Sequence, residues 1–287
     1  MLNWLILLLL SLIWGSSFIL MKKSLVVFEY IEVGFFRLQI AFLILLPFVV
    51  SSIRKIKKAH IIPLLIVSII GTVIPAVLFA KAQIFLNSSI AGMLNSLTPM
   101  FTLVISIIIF NVKSWSKRDF VGIMIGLFGT YSLLLPKNMT MIDLKYSILL
   151  IFATICYALS INTIKHKLHS LKPLDIAVIS SCFSTIIPTI YISYNGWGNT
   201  LSKIYMNFDS FYYLIILGVI CTSFAIIIFN YLIQRSNAIF ASSTTYLIPV
   251  FAMMWGIIDK EKIEPNEVIG TIFILIGVFV INYKKLE

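Results

Sequence analysis

The sequence predicts an all-α membrane protein in which ten transmembrane helices form two inverted five-helix repeats. Three observations lead there. Hydrophobic residues make up 60% of the chain and charged residues 11%, with a mean hydropathy of +1.04, whereas about a quarter of a soluble domain is charged. Apolar runs of roughly 20 residues recur down the chain, each long enough to cross a bilayer core as a helix. Finally, a shift of 150 positions carries Asn87, Ala91, Leu97, Pro99, Phe101, Ile107 and Ile108 onto Asn237, Ala241, Leu247, Pro249, Phe251, Ile257 and Ile258, the self-similarity that a duplication leaves.

Taken in order, the spans cover about 3 to 21, 32 to 50, 61 to 83, 88 to 110, 119 to 135, 146 to 165, 174 to 194, 211 to 233, 238 to 258 and 266 to 283. The first, MLNWLILLLLSLIWGSS, has no basic leader and is kept as a span of the mature protein. Little more than LNSS joins spans three and four, and QRSN joins eight and nine, so each pair is an antiparallel hairpin. Pro99 and Pro249 sit mid-span, where each removes a helical hydrogen bond; lipid does not satisfy the freed carbonyl, so both segments should face an interior. Gly122, Gly126 and Gly129 on span five, with Gly270 and Gly277 on span ten, allow close helix approach. That points to packing between these two spans rather than to homodimerisation, so monomer and homodimer both stay open. The outer loop 195–210 carries Trp197, Tyr205 and Phe208 and reads as an interfacial aromatic anchor.

With the N-terminus in the cytoplasm, about 13 basic residues fall on the inner side, from Arg54 and Lys55 to Lys284 and Lys285, and about 7 on the outer, among them Lys22, Lys137, Lys203 and Lys262. Acids such as Glu29, Glu32, Asp209, Asp259, Glu261 and Glu264 lean outward. Both termini are therefore expected to be cytoplasmic. Loop sidedness also accounts for the net charge of +11 without a nucleic-acid partner.

The register extends to the other spans with small gaps. Trp14 and Lys22 meet Tyr157 and Lys165, Phe42 and Pro47 meet Phe183 and Pro188, and Gly122 and Gly129 meet Gly270 and Gly277. Residues 1–136 then form one five-helix repeat, 137–144 an outer linker and 145–287 the second repeat. Five is odd, so the second copy enters the membrane from the opposite side, and two such halves can exchange conformations about a midplane site. Alternating access for a small-molecule substrate follows.

The site is expected where duplicated polar stripes meet. Span four offers Ser88, Gly92, Asn95, Thr98, Thr102 and Ser106 at helical spacing beside Pro99, and span nine offers Ser242, Thr245, Tyr246 and Pro249. Spans three and eight add Ser68, Thr72, Ser223 and Asn230; spans one and six add Trp14, Ser17, Tyr157, Ser160 and Asn162. A single Ser or Thr more often marks close packing. Asn95, Asn162, Asn230 and Tyr246 carry more weight, since an amide or phenol at depth needs a partner. Arg37 and Lys81 lie within spans, where long cationic chains can snorkel outward; the sharper reading is an electropositive outer vestibule for a substrate carboxylate. No Asp or Glu lies near the middle of a span, which favours facilitation over proton coupling.

Cys156, Cys182 and Cys221 sit in apolar runs without paired or metal-type spacing, so neither disulfide nor metal is expected, and no cofactor. A membrane-embedded enzyme acting on a lipid-linked or small substrate is the competing class, and it would need clustered chemistry such as HExxH or paired aspartates. His60, His166 and His169 instead read as parts of basic cytoplasmic loops.

IWGSSFILMKK at 13–23, SLTPMF, YLIPVF and DKEKIEPNEVIGTIFILIGVFV at 259–280, in that order, resemble the EamA type of the drug/metabolite transporter superfamily over nearly the whole chain. The resemblance implies a multi-pass carrier of the bacterial plasma membrane, often an exporter, for amino acids or related metabolites. It also implies a cavity lined by spans one, three, four, six, eight and nine. Two departures stand out: Ile248 where many relatives have Glu before the ninth-span proline, and Lys113 where an acid is expected.

Overall fold

The computed structural model describes residues 2–113, 116–133, 141–195, 197–260 and 265–282, and among these there is no strand. In chain order the helices are α1 (Leu2–Ser24), α2 (Tyr30–Ile53), α3 (Lys58–Ala82), α4 (Ser88–Ile108), α5 (Lys117–Leu133), α6 (Met141–Lys167), α7 (Pro173–Tyr194), α8 (Trp197–Met206), α9 (Phe208–Arg235), α10 (Ala238–Ile258) and α11 (Pro265–Asn282). Apart from α5, α8 and α11, all contain a segment long and apolar enough to cross a bilayer. Their outer faces stay apolar. Leu5, Leu8 and Leu12 of α1 are exposed while Leu7 and Leu10 are buried, as expected of a helix with lipid on one side and protein on the other. Residues 137–140 of the linker, and Lys137, Glu261, Lys262, Glu264, Lys284 and Lys285, lie outside the described residues.

Local chemistry sets the helix ends and bends. Ser116 and Asp119 open α5 reciprocally, Asp119 accepting from the Ser116 amide at 2.9 Å and Ser116 Oγ from the Asp119 amide at 3.1 Å. Asn237 caps α10 by accepting from the Phe240 amide at 2.7 Å. In α4 the helix breaks at Ser96 and Leu97, and Pro99 cannot donate to the Asn95 carbonyl. The Thr98 hydroxyl donates there instead, at 2.7 Å.

Both α3 and α9 contain a π-helical stretch, Ile66–Val73 and Val219–Phe224. In each, a threonine hydroxyl donates to the carbonyl five residues back: Thr72 to Val67 at 2.9 Å and Thr222 to Leu217 at 2.8 Å. These donors and acceptors are separated by the same 150 positions read from the sequence.

The two halves of the chain interlock. α1 packs chiefly on α9 and α10, and α6 on α3 and α4. α5 and α11 pack on each other, as the glycines imply: a Cβ on Gly277 would lie 2.5 Å from the Gly122 carbonyl oxygen and 2.9 Å from the Gly126 nitrogen.

Two expectations need correction. The segment read as a loop at 195–210 contains helix α8. His60 is not in a solvated loop: it is buried in the first turn of α3, where its Nδ1 accepts from the Lys57 amide at 3.2 Å and its Nε2 lies 3.1 Å from Ser170 Oγ. His166 lies in the last turn of α6, its ring stacked on Phe110 at 5.0 Å.

Candidate functional site

A cavity of about 130 Å³ lies among α1, α2, α3, α4, α6, α7, α9 and α10, space for roughly ten waters or one small metabolite. Its wall is built in matched pairs. Trp14 of α1 meets Phe229 of α9 edge-on, 4.8 Å between ring centroids at 74°. Tyr157 of α6 stacks on Phe79 of α3, 5.8 Å at 29°. Trp14 and Tyr157 are partners in the sequence register, and Phe79 and Phe229 are 150 positions apart. Ser17 faces the cavity with Ser160, Asn95 with Thr245, and Thr72 with Thr222. Trp14 is fixed by its indole N–H, which donates to the Cys221 carbonyl at 3.1 Å.

Seven of the residues singled out to bind substrate or flank it reach this wall: Trp14, Ser17, Arg37, Asn95, Thr98, Tyr157 and Asn230. The others sit behind it or away from it. Asn162 is fully buried, its amide donating to the Thr102 carbonyl at 2.9 Å and the Ala158 carbonyl at 3.0 Å, so it ties α6 to α4. Tyr246 packs with Met93, Leu103 and Ile123, over Gly126. Pro249 backs onto Gly92, where α10 and α4 cross, and Pro99 is buried at the break of α4. The Lys81 ammonium lies over the Tyr30 ring, 5.2 Å from its centroid.

Arg37 does not snorkel to the surface. It reaches into the cavity from α2, its Nε donating to Thr222 Oγ1 at 3.2 Å. Among the described residues no other Lys, Arg, Asp, Glu or His lines the wall. From α7 the wall takes Ser180, whose hydroxyl donates to the Ala177 carbonyl at 3.2 Å, while the register that pairs Phe42 with Phe183 sets Arg37 against the buried Val178.

Sequence reasoning left α2 and α7 off the wall and chose Ser223 over Thr222. The π-helical stretch explains the second miss, because its extra residue turns the following side chains away from a 3.6-residue stripe. Ser223 consequently turns back, donating to the Val219 carbonyl at 2.6 Å. One signal was available: Thr72 and Thr222 are identical under the 150-residue shift.

The two rims are bridged by ion pairs. At one end Lys23 reaches Asp259 at 3.4 Å and Lys203 reaches Glu32 at 2.9 Å; at the other Lys55 reaches Asp175 at 2.8 Å. Glu32 and Asp175 each occupy the third residue of their helix, where a carboxylate also meets the positive end of the helix dipole.

A model of the EamA-like transporter family matches residues 2–135 and 144–283. An uncharacterized transporter of Archaeoglobus fulgidus is 23% identical over 99% of this chain and 99% of its own length. Uncharacterized transporters YcxC and YoaV of Bacillus subtilis are each 24% identical, covering 93% and 94% of this chain and 88% and 92% of their own. One solved crystal structure shares the fold with a TM-score of 0.69 at 12% identity, over 99% of this chain and 98% of that one. The chain belongs to the EamA-like transporter family and is a multi-pass membrane protein.

Proposed function

We propose that the chain carries amino acids or related small metabolites across the bacterial plasma membrane by alternating access. In this reading residues 1–136 and 145–287 are inverted five-helix repeats joined by the outer linker 137–144, giving ten transmembrane helices with both termini cytoplasmic. Substrate sits among Trp14, Ser17, Asn95, Thr98, Tyr157 and Asn230.

The observation that carries this reading is the pairing of Thr72→Val67 with Thr222→Leu217, two five-residue hydroxyl bonds facing one cavity. A π-helical turn is a weak point in a helix and recurs at functional sites. One such turn in each half gives each half its own place to bend. Bending one closes the cavity at one end, and the inverted copy does the same at the other. The ion pairs at the two rims then break and re-form alternately, while a ligand bound in both states is carried across.

Liposomes holding the purified protein should exchange labelled amino acids or metabolites from a panel in counterflow, with equal rates in the presence and absence of a pH gradient if transport is facilitative. No exchange of any panel member by protein that remains folded would reject the function. A reporter fused after Glu287 that is active only outside would reject the topology.

A further inference from the structure

Arg37 holds the only formal charge among the described residues of the cavity wall. Its Nε is engaged by Thr222 Oγ1 at 3.2 Å, and Thr222 is itself fixed by its bond to the Leu217 carbonyl. That bond orients the guanidinium, and among the described residues its two terminal NH2 groups meet no hydrogen-bond acceptor. A cation at this depth is costly without a counter-charge. The counterpart of Arg37 in the second half, at the offset that pairs Phe42 with Phe183, is the buried Val178, so the matching helix carries no cation there.

We infer that the cavity binds a singly charged carboxylate on an uncharged, apolar body, with Arg37 supplying the charge. The terminal NH2 groups form the planar fork that meets a carboxylate with two parallel hydrogen bonds. One cation balances one negative charge and leaves a dianion in excess. Trp14, Phe79, Tyr157 and Phe229 enclose the rest of the space with ring faces and edges, which suits an apolar body. A ligand ammonium would find no carboxylate opposite it. The inference therefore narrows the proposed substrates, and it rests on the cavity being the transport site: carboxylic acids without an amino group should be preferred over zwitterionic amino acids.

Four probes that share one ring and differ in charge test this: 3-phenylpropanoate, phenylalanine, 2-phenylethylamine and 3-phenylpropanamide. Binding is measured on the full chain in nanodiscs and uptake in liposomes. 3-Phenylpropanoate should bind at least about tenfold tighter than the other three, and Arg37→Gln should lose about 10- to 100-fold for this probe alone, the size expected for hydrogen bonds to a charged group. Equal binding of 3-phenylpropanamide, or no saturable binding of 3-phenylpropanoate below about 10 mM, overturns the inference; the ranking of the probes on the unaltered protein keeps it testable if Arg37→Gln does not fold. Charge-selective binding without uptake of any probe rejects transport and leaves the anion site standing. Uptake that ignores both probe charge and Arg37→Gln rejects the anion site and leaves transport standing.

Discussion

The Lys55 ammonium lies 2.8 and 3.1 Å from the two carboxylate oxygens of Asp175, and that carboxylate is only 2% exposed. Ser52 Oγ donates to the same Oδ1 at 2.8 Å. The pair joins the end of α2 to the first turn of α7. Removing a partner from a buried charge costs more than the pair contributed. Because Lys55 is half exposed, Lys55→Met should destabilise by about 1–3 kcal/mol rather than by the full buried-pair penalty. Thermal unfolding in detergent measures this, and Lys55→Met/Asp175→Leu should recover most of the loss. A double variant no better than Lys55→Met would count against a desolvated charge as the cause.

At the opposite rim, Lys203 of α8 is held by Glu32, and its hydrogen bond to that carboxylate raises the ammonium above its ordinary pKa of 10.5. A raised lysine stabilises the folded state fully below its unfolded value and loses that contribution as pH climbs through the folded one. Removing the pair by Glu32→Gln should therefore lower the melting temperature at neutral pH. The gap should be small, because exposed pairs contribute about 0–1 kcal/mol, and it should narrow above about pH 10.5 to what the Glu32 charge contributes at the helix N-terminus. Melting curves of both proteins across that range decide it; a gap undiminished in strong alkali assigns the effect to something other than the lysine charge.

Where α5 and α11 touch there is no room for a methyl group. A Cβ at Gly277 would meet backbone atoms at 2.5 and 2.9 Å, which cannot rotate away. Gly277→Ala should cost about 1–3 kcal/mol by forcing the helices apart. Gly218→Ala meets mainly the Ile40 side chain, at 2.6 Å, with the Arg37 carbonyl at 3.0 Å, and should be the milder change. A Gly277→Ala protein as heat-stable as the unaltered chain would show that the helices separate without cost.

Cysteine accessibility separates wall from core. On a background with Cys156, Cys182 and Cys221 replaced by alanine, Asn95→Cys and Asn230→Cys should react with a water-soluble thiol reagent, since both positions border the cavity. Asn162→Cys should stay inert, and because it also severs the tie to Thr102 it should lower stability by about 1–3 kcal/mol. Rapid labelling at 162 with none at 95 and 230 would reverse the assignment of wall and core.

These cases mark what could be read before the structure. Eight apolar spans follow from composition, and the 150-position register that pairs Pro99 with Pro249 also pairs the threonines of the two π-helical stretches. Side-chain direction is harder. Tyr246 looked like wall from its place beside Thr245, but the helix breaks at Ser243, and the ring turns toward Gly126 instead. Helix α8, WGNTLSKIYM, hid because its Gly, Asn and Thr favour loops by propensity. Arg37 was legible as an ionisable group in a span, but its inward direction depends on Thr222, and that on a π-helical turn with no compositional signature.

That turn yields the last prediction. Thr72→Val and Thr222→Val keep the side-chain shape and remove the hydroxyl that bridges each π stretch to the carbonyl five residues back. Each lost bond should cost about 0.5–1.5 kcal/mol, too little to unfold the protein. If the two turns are the bending points, counterflow should fall severalfold in either variant, and Thr→Ser at the same positions should restore it. Their effects on binding should differ. Thr222→Val also removes the acceptor that orients Arg37, so 3-phenylpropanoate should bind more weakly there, while Thr72→Val should leave its affinity nearly unchanged. Unaltered counterflow in both valine variants would sever the π turns from transport, and equal losses of affinity in the two would sever Thr222 from the orientation of Arg37.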